Sequence, residues 1–282
     1  MSETCPVDQR LDTLAQSHYE NFPVGSFLLP RDLRRPIRLV YAFARAADDM
    51  ADEGNDPMEA RLAKLDAWEA GLKHAMGGNR ESSFFFELSG IIASHSIPPS
   101  LFFDLVEAFR MDARGRVYQT FKDVEFYCRH SANPVGRILL HLFGSPTDEL
   151  CVYSDAICTA LQLTNFWQDL SVDIDRNRVY IPQEDLERFG LTREDLRRKD
   201  GTGSLVPLLK YQVDRTRHFF LEGMPLLHLI DRRFALELRL TVNGGLQILR
   251  KIEAQQYDTL RRRPVLSAVD RAFLFGRSLV AR

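Results

Sequence analysis

LQLTNFWQDLSVDIDRNRVYIP, residues 161–182, is the stretch that decides how this chain folds. Gln162, Asn165, Asp169 and Asp173 follow one another at spacings of three, four and four, so they share one stripe of a helix. Leu161, Leu163, Phe166, Trp167, Leu170 and Val172 stand between them, so the acids interrupt an apolar segment instead of continuing a solvated face. Hard oxygen ligands of this kind suit Mg²⁺ better than zinc or copper, and Mg²⁺ bridges a few carboxylates to substrate phosphates. Set against a second such stripe, this one would handle a phosphate ester or diphosphate.

A second stripe lies upstream, in RLVYAFARAADDMADEG, residues 38–54. With Tyr41 at zero on a helical wheel, Arg45 falls near ~40°, Asp48 near ~340° and Asp52 near ~20°. Asp48 and Asp52 are neighbours at i, i+4, and their like charges weaken an isolated helix by a few tenths of a kcal/mol. Alone, such a run is also what a solvated acidic helix end looks like; two stripes in one chain form a constellation. Facing each other across a bundle core, Asp48, Asp52, Asp169 and Asp173 would hold Mg²⁺ against a diphosphate, with Arg45, Arg176 and Arg178 as bracketing cations. Phe22, Tyr41, Tyr127 and Phe166 are candidate faces for stabilising a carbocation left when the diphosphate departs.

Around these motifs the apolar spacing is helical over 37–53, 58–76, 101–115, 148–175 and 227–260, which predicts an all-α protein. Gly77-Gly78, Ile97-Pro98-Pro99 and Asp200-Gly201-Thr202-Gly203 read as helix connections, and none is long enough for a linker, so residues 1–282 are expected to form a single domain. Residues 184–200 read as a charged surface helix-turn-helix. The 19 phenylalanines, some in runs such as Phe84-Phe85-Phe86, point to an aromatic core or to a long apolar cavity, and composition does not separate the two.

With 37 Lys and Arg against 39 Asp and Glu, the net charge of −2 excludes a default grip on nucleic acid. The longest stretch without Asp, Glu, Lys or Arg, Leu88 to Phe103, has 16 residues and is broken by Pro98-Pro99, too short to span a bilayer. MSETCPVDQRLDT at the N-terminus has no apolar h-region, and Cys5, Cys128, Cys151 and Cys158 form no CxxC pair, which together predict a cytoplasmic protein with reduced thiols.

These residues resemble the squalene/phytoene synthase family over essentially the whole chain. The resemblance rests on HYENFPVGSF at 18–27, on Tyr41-xxx-Arg45-xx-Asp48-Asp49-xx-Asp52, on Tyr127-xxx-Ser131-Ala132-Asn133-Pro134-Val135-Gly136, and on Asn165-xxx-Asp169-xxx-Asp173 followed by Arg178-Val-Tyr180-Ile-Pro182. It implies an isoprenoid synthase helical bundle with a central apolar cavity. There Asp48, Asp52, Asp169 and Asp173 bind diphosphate through a small Mg²⁺ cluster, and His18, Phe22, Tyr41, Arg45 and Tyr127 line the substrate site. It extends the substrate set to Asn21, Gln162, Asn165, Phe166, Arg178 and Tyr180.

Some positions depart from the family pattern: Asn21 replaces a serine, Ser131-Ala132-Asn133 a Val-Ala-Gly, Gln168 an arginine, and Gly244-Gly245 stands where relatives often carry a ring. This set is most similar to the branch that ionises presqualene diphosphate and lets water capture the cation as hydroxysqualene, with no nicotinamide cofactor; the rival is head-to-head joining of two prenyl diphosphates. Asn133 is then a candidate for orienting the water, or else a helix cap, and Gly245 is expected to leave room for it. Lipid substrates and the run Arg261-Arg262-Arg263 suggest peripheral association with the inner face of a membrane.

Overall fold

The computed structural model describes residues 29–52, 54, 56–144, 146–198 and 202–280. It is 75% helical, without strands among the described residues. In chain order the helices are α1 (Arg34–Asp52), α2 (Met58–Met76), α3 (Ser83–Ser94), α4 (Ser100–Ala113), α5 (Phe121–Ser131), α6 (Asn133–Leu142), α7 (Asp148–Gln168), α8 (Leu170–Asp175), α9 (Gln183–Arg188), α10 (Arg193–Arg198), α11 (Thr202–Gly223), α12 (Leu226–Leu229), α13 (Arg232–Ala254) and α14 (Ala268–Val280). They group into two compact units, one holding α1 to α4 with α6, the other holding α5 with α7 to α14.

In the first unit, α1 buries Ile37, Val40, Phe43, Ala47 and Ala51, spaced by three and four, against α4, α2 and α3. Phe43 meets Phe102 edge-on at 5.3 Å and Trp68 at 5.7 Å, and Trp68 continues to Phe84 at 5.8 Å and Phe85 at 4.6 Å. Phe84, Phe85 and Phe102 are thus core, with rings at the offset and edge geometries that aromatic pairs prefer, while Phe86, 40% exposed, ends its run at the surface. Burying one side of α1 leaves Tyr41, Arg45, Asp48 and Asp52 half-exposed on the other.

The second unit is built on α7, which packs along α11 and α13. Trp167 is fully buried and its indole N–H donates to Thr216 Oγ1 at 2.8 Å, while the Thr216 hydroxyl donates to the Gln212 carbonyl at 2.8 Å. Asp185, from the segment expected to be a solvated surface, is instead buried and accepts from Gln212 Nε2 and Arg215 Nη1, each at 2.8 Å. A buried carboxylate survives because two donors satisfy it.

The sequence reads 161–175 as one helix; the structure breaks it at Asp169, whose φ of −99° and ψ of 12° fall in the bridge region between α7 and α8. Asp169 N–H still donates to the Asn165 carbonyl at 2.8 Å and Asp173 N–H to the Asp169 carbonyl at 2.9 Å, so the polar stripe keeps its phase across the joint. Helix α8 then ends in a Schellman motif: Arg178 N–H bonds the Asp173 carbonyl at 2.7 Å and Asn177 N–H the Ile174 carbonyl at 2.9 Å. Asn177 takes the left-handed conformation with φ of 62°, one that asparagine tolerates better than most residues. The turn delivers Val179, Tyr180 and Ile181 into the interior.

Candidate active site

On α1, Arg45 is the local counter-charge of the acidic stripe: Nη1 donates to Asp48 Oδ2 at 3.0 Å and Nη2 lies 2.8 Å from Asp49 Oδ1. One guanidinium does not neutralise the group. Burial, then the Asp52 carboxylate, push Asp48 from the usual 3.8 up to about 6 against the pull of Arg45, with Asp49 and Asp112 adding to the push. A carboxylate that burial and a neighbouring acid make this reluctant to ionise gains from a divalent cation, so the residues of α1 fit Mg²⁺.

Around Asp169 the chemistry differs. Arg263 grips its carboxylate with two donors, Nε to Oδ1 and Nη2 to Oδ2, the latter at 3.2 Å. The next residue reinforces the contact, because Gln168 Nε2 donates to the Pro264 carbonyl at 2.8 Å. A protein cation thus already pairs with the Asp169 carboxylate. Among the described residues no three His, Cys, Asp or Glu side chains converge into a metal cage. Carboxylates in ones and twos are the usual Mg²⁺ set when substrate phosphates complete the shell.

Gln162, Asn165, Asp169 and Asp173 are all half-exposed, and Leu163, Phe166, Trp167 and Leu170 are buried behind them. Phe166 stacks on Tyr180 at 3.8 Å and 8°, Tyr127 stands 5.9 Å from Phe166 and 5.6 Å from Tyr180, and Tyr118 closes the cluster at 5.8 Å from Tyr127 and 5.6 Å from Tyr180. Local stitching sets this up. The Gln183 and Glu184 N–H groups donate to the carbonyls of Tyr118 and Gln119 at 2.9 and 3.0 Å, and Phe121 N–H donates to Glu184 Oε1 at 2.6 Å. A capping box of Thr120 and Asp123 then starts α5, which carries Tyr127.

The structure thus brings Tyr41, Arg45, Asp48 and Asp52 together on α1, and Tyr127, Phe166 and Tyr180 into one ring cluster. His18, Asn21 and Phe22 lie outside the described residues. Arg178 is half-exposed just past the Schellman turn and Arg176 is exposed. Asn133 is buried at the start of α6, and its Oδ1 accepts from Thr159 Oγ1 at 3.0 Å. Gly245 does not leave the room expected of it: a Cβ there would meet Phe220 Cζ at 2.7 Å and Leu161 Cδ2 at 3.0 Å, so the glycine permits close helix packing.

Sequence reasoning missed Tyr118 and Arg263. Tyr118 sits nine residues before Tyr127 and outside the helix that carries it, so no periodicity links them. Arg263 was hidden in a run of three arginines, which the structure divides: Arg261 and Arg262 are exposed while Arg263 turns to Asp169.

The chain is similar to known proteins over most of its length. The squalene/phytoene synthase family profile matches residues 15–270. A hydroxysqualene synthase from Rhodopseudomonas palustris is 34% identical over 253 residues, which is 89% of this chain and 85% of that protein. A 15-cis-phytoene synthase from Synechocystis is 30% identical over 258 residues, 86% of this chain and 76% of its own. Among solved structures, a squalene synthase (HpnC) from Alicyclobacillus acidocaldarius superposes with a TM-score of 0.82 at 41% identity, covering 89% of this chain and 94% of that one. A dehydrosqualene synthase gives 0.80 at 25% identity, over 97% and 95%. An all-α isoprenoid synthase fold, two half-exposed acidic stripes and a match across nearly the whole length lead to one conclusion: this chain belongs to the squalene/phytoene synthase family of enzymes.

Proposed function

We propose that this enzyme converts presqualene diphosphate and water to hydroxysqualene and diphosphate, acting as a single domain with Mg²⁺. The observation that carries the reading is the 34% identity to a hydroxysqualene synthase over 85% of that protein's length, on a chain that retains both acidic stripes. In the reaction the carbon–oxygen bond to the diphosphate breaks heterolytically and the electron pair leaves with the diphosphate. The cyclopropylcarbinyl cation rearranges, a water oxygen bonds to the allylic carbon, and that water loses a proton. No electrons are gained or lost, so no nicotinamide cofactor is called for.

Mg²⁺ bound by Asp48, Asp52, Asp169 and Asp173 would stabilise the departing charge as a Lewis acid. Arg45, which pairs with Asp48 and Asp49, would offer a guanidinium donor to the diphosphate. Gln162 and Asn165, on the same stripe as Asp169, offer amide donors to the phosphate oxygens, and Arg178 adds a cation. Tyr127, Phe166 and Tyr180 supply aromatic faces that favour a carbocation. Phe166 and Tyr180 cover one face of each other, so each has a single face to give.

The second reading, a transferase joining two prenyl diphosphates, is favoured by the match to phytoene synthases at 28–30% identity. Incubation of the purified protein with Mg²⁺ and presqualene diphosphate in ¹⁸O-water, without nicotinamide cofactor, separates the two. Hydroxysqualene carrying the heavy oxygen supports the lyase. Turnover of farnesyl or geranylgeranyl diphosphate instead, with presqualene diphosphate left intact, overturns it.

A further inference from the structure

Helix α14 is amphipathic the wrong way round for a helix that faces water. A capping box opens it: Ser267 N–H donates to Asp270 Oδ2 at 2.7 Å and Asp270 N–H to Ser267 Oγ at 3.1 Å. Asp270 is also the side chain that ties the helix to α13, through Lys251 Nζ at 2.7 Å and Gln247 Nε2 at 3.2 Å, and Leu274 is the buried apolar contact on the same side. The polar group therefore points inward.

Outward stand Val269, 78% exposed, Phe273, 62% exposed, and Phe275, 37% exposed, with the small residues Ala268, Ala272 and Gly276 between them. On a wheel with Val269 at zero, Phe273 is near ~40°, Gly276 near ~340°, Ala272 near ~300° and Phe275 near ~240°, one continuous apolar face. Val265, 54% exposed, extends it ahead of the helix. Single exposed apolar side chains need no explanation, but a whole helix face of them marks a contact surface.

Charge selects the occupant. Arg261, Arg262 and Arg271 are exposed beside this face in the chain; Asp270 is already paired with Lys251, and Asp258, 4.0 Å from Arg261 Nη1, offsets part of one charge, so the segment stays net basic. A second copy would meet the face through a two-fold axis and bring three arginines against three. An anionic lipid headgroup layer meets them with opposite charge and takes the rings into its acyl boundary, as interfacial helices do. No helix among the described residues is long and apolar enough to cross a membrane, so the contact is peripheral.

We propose that the outward face of α14, with Arg261, Arg262 and Arg271, docks on an anionic phospholipid bilayer surface. This deepens the reading that substrate and product are lipids, and its test needs no turnover. The full chain is floated with vesicles of phosphatidylcholine alone, or with about a third phosphatidylglycerol. The expected result is flotation with the anionic vesicles, at least tenfold weaker for Val269→Glu with Phe273→Glu. The triple variant Arg261→Gln, Arg262→Gln, Arg271→Gln is expected to lose on the order of a hundredfold in partitioning to anionic vesicles, from about 1 kcal/mol per arginine.

All these positions are exposed and none belongs to the acidic stripes, so both variants should turn over detergent-dispersed presqualene diphosphate at the wild-type rate. Equal flotation of wild type and both variants overturns the proposal. So does absence of flotation with anionic vesicles, or a wild-type dimer in sedimentation velocity that Phe273→Glu makes monomeric, since the face then belongs to a second copy. Vesicle binding without any turnover of presqualene diphosphate would instead remove the proposed reaction and leave the docking face standing.

Discussion

Replacing Asp48 by asparagine should make the metal-free protein more stable while it destroys the reaction. In the folded chain Asp48 is raised from 3.8 to about 6 by burial and by Asp52, so between those values the native state binds a proton that the unfolded chain has released. Stability therefore falls as pH rises through this window, and the full penalty is present above about pH 6. At 1.36 kcal/mol for each pH unit the ceiling is about 3 kcal/mol, and because the side chain is 34% exposed, solvent screening reduces this to about 1–2 kcal/mol. The attraction of Arg45 for the Asp48 carboxylate is already included in that net value, and in the variant Arg45 retains Asp49.

Asp48→Asn should thus raise the melting temperature in EDTA by roughly 2–6 °C at about pH 7.5, and by about half as much near pH 5. Differential scanning calorimetry at the two pH values measures both, and the same sample with Mg²⁺ and substrate should show turnover reduced at least a hundredfold. A variant that melts below wild type at about pH 7.5, or whose gain does not change with pH, would refute the electrostatic account of the stripe.

Arg263→Gln should free the Asp169 carboxylate and tighten binding of Mg²⁺ or Mn²⁺ alone several-fold in calorimetric titration; an unchanged isotherm would show that Arg263 does not compete with the metal. Thr216→Val leaves the buried Trp167 N–H without its acceptor and should cost about 1–3 kcal/mol in urea unfolding followed by tryptophan fluorescence. A change below about 0.5 kcal/mol would count against that hydrogen bond. Gly245→Ala forces a Cβ onto the Phe220 ring and should destabilise by about 1–3 kcal/mol with the product unchanged, whereas a full-stability variant would mean that α13 has slack at this point.

The acidic stripes were legible because each is a local pattern: three- and four-residue spacings put Tyr41, Arg45, Asp48 and Asp52 on one face, and the alanines and Phe43 behind them say which side is buried. The joint at Asp169 was not legible, since nothing in QDLSVD forbids a continuous helix. What accompanies the break is a grip from Arg263, 94 residues away, and pairings at that separation leave no trace in periodicity. Tyr180 could be singled out only by resemblance, because its place against Phe166 depends on the Schellman turn at Asn177. Gly245 shows the opposite failure. The absence of a side chain was read as space, whereas in a packed interior it is filled by the neighbour.

The double tie from Gln168 and Asp169 to Pro264 and Arg263 also sets an order of events during folding. Its two hydrogen-bonded pairs close loops of 96 and 94 residues, contacts whose entropy is recovered only after α11 and α13 have laid down most of the unit between them. During synthesis Asp169 emerges long before Arg263, so for that interval the acid stands without its protein counter-ion, and the second stripe is electrostatically complete only when the chain beyond α13 arrives. The acidic motif is then among the last parts of the second unit to mature, and refolding should recover helicity before it recovers the environment of Asp169.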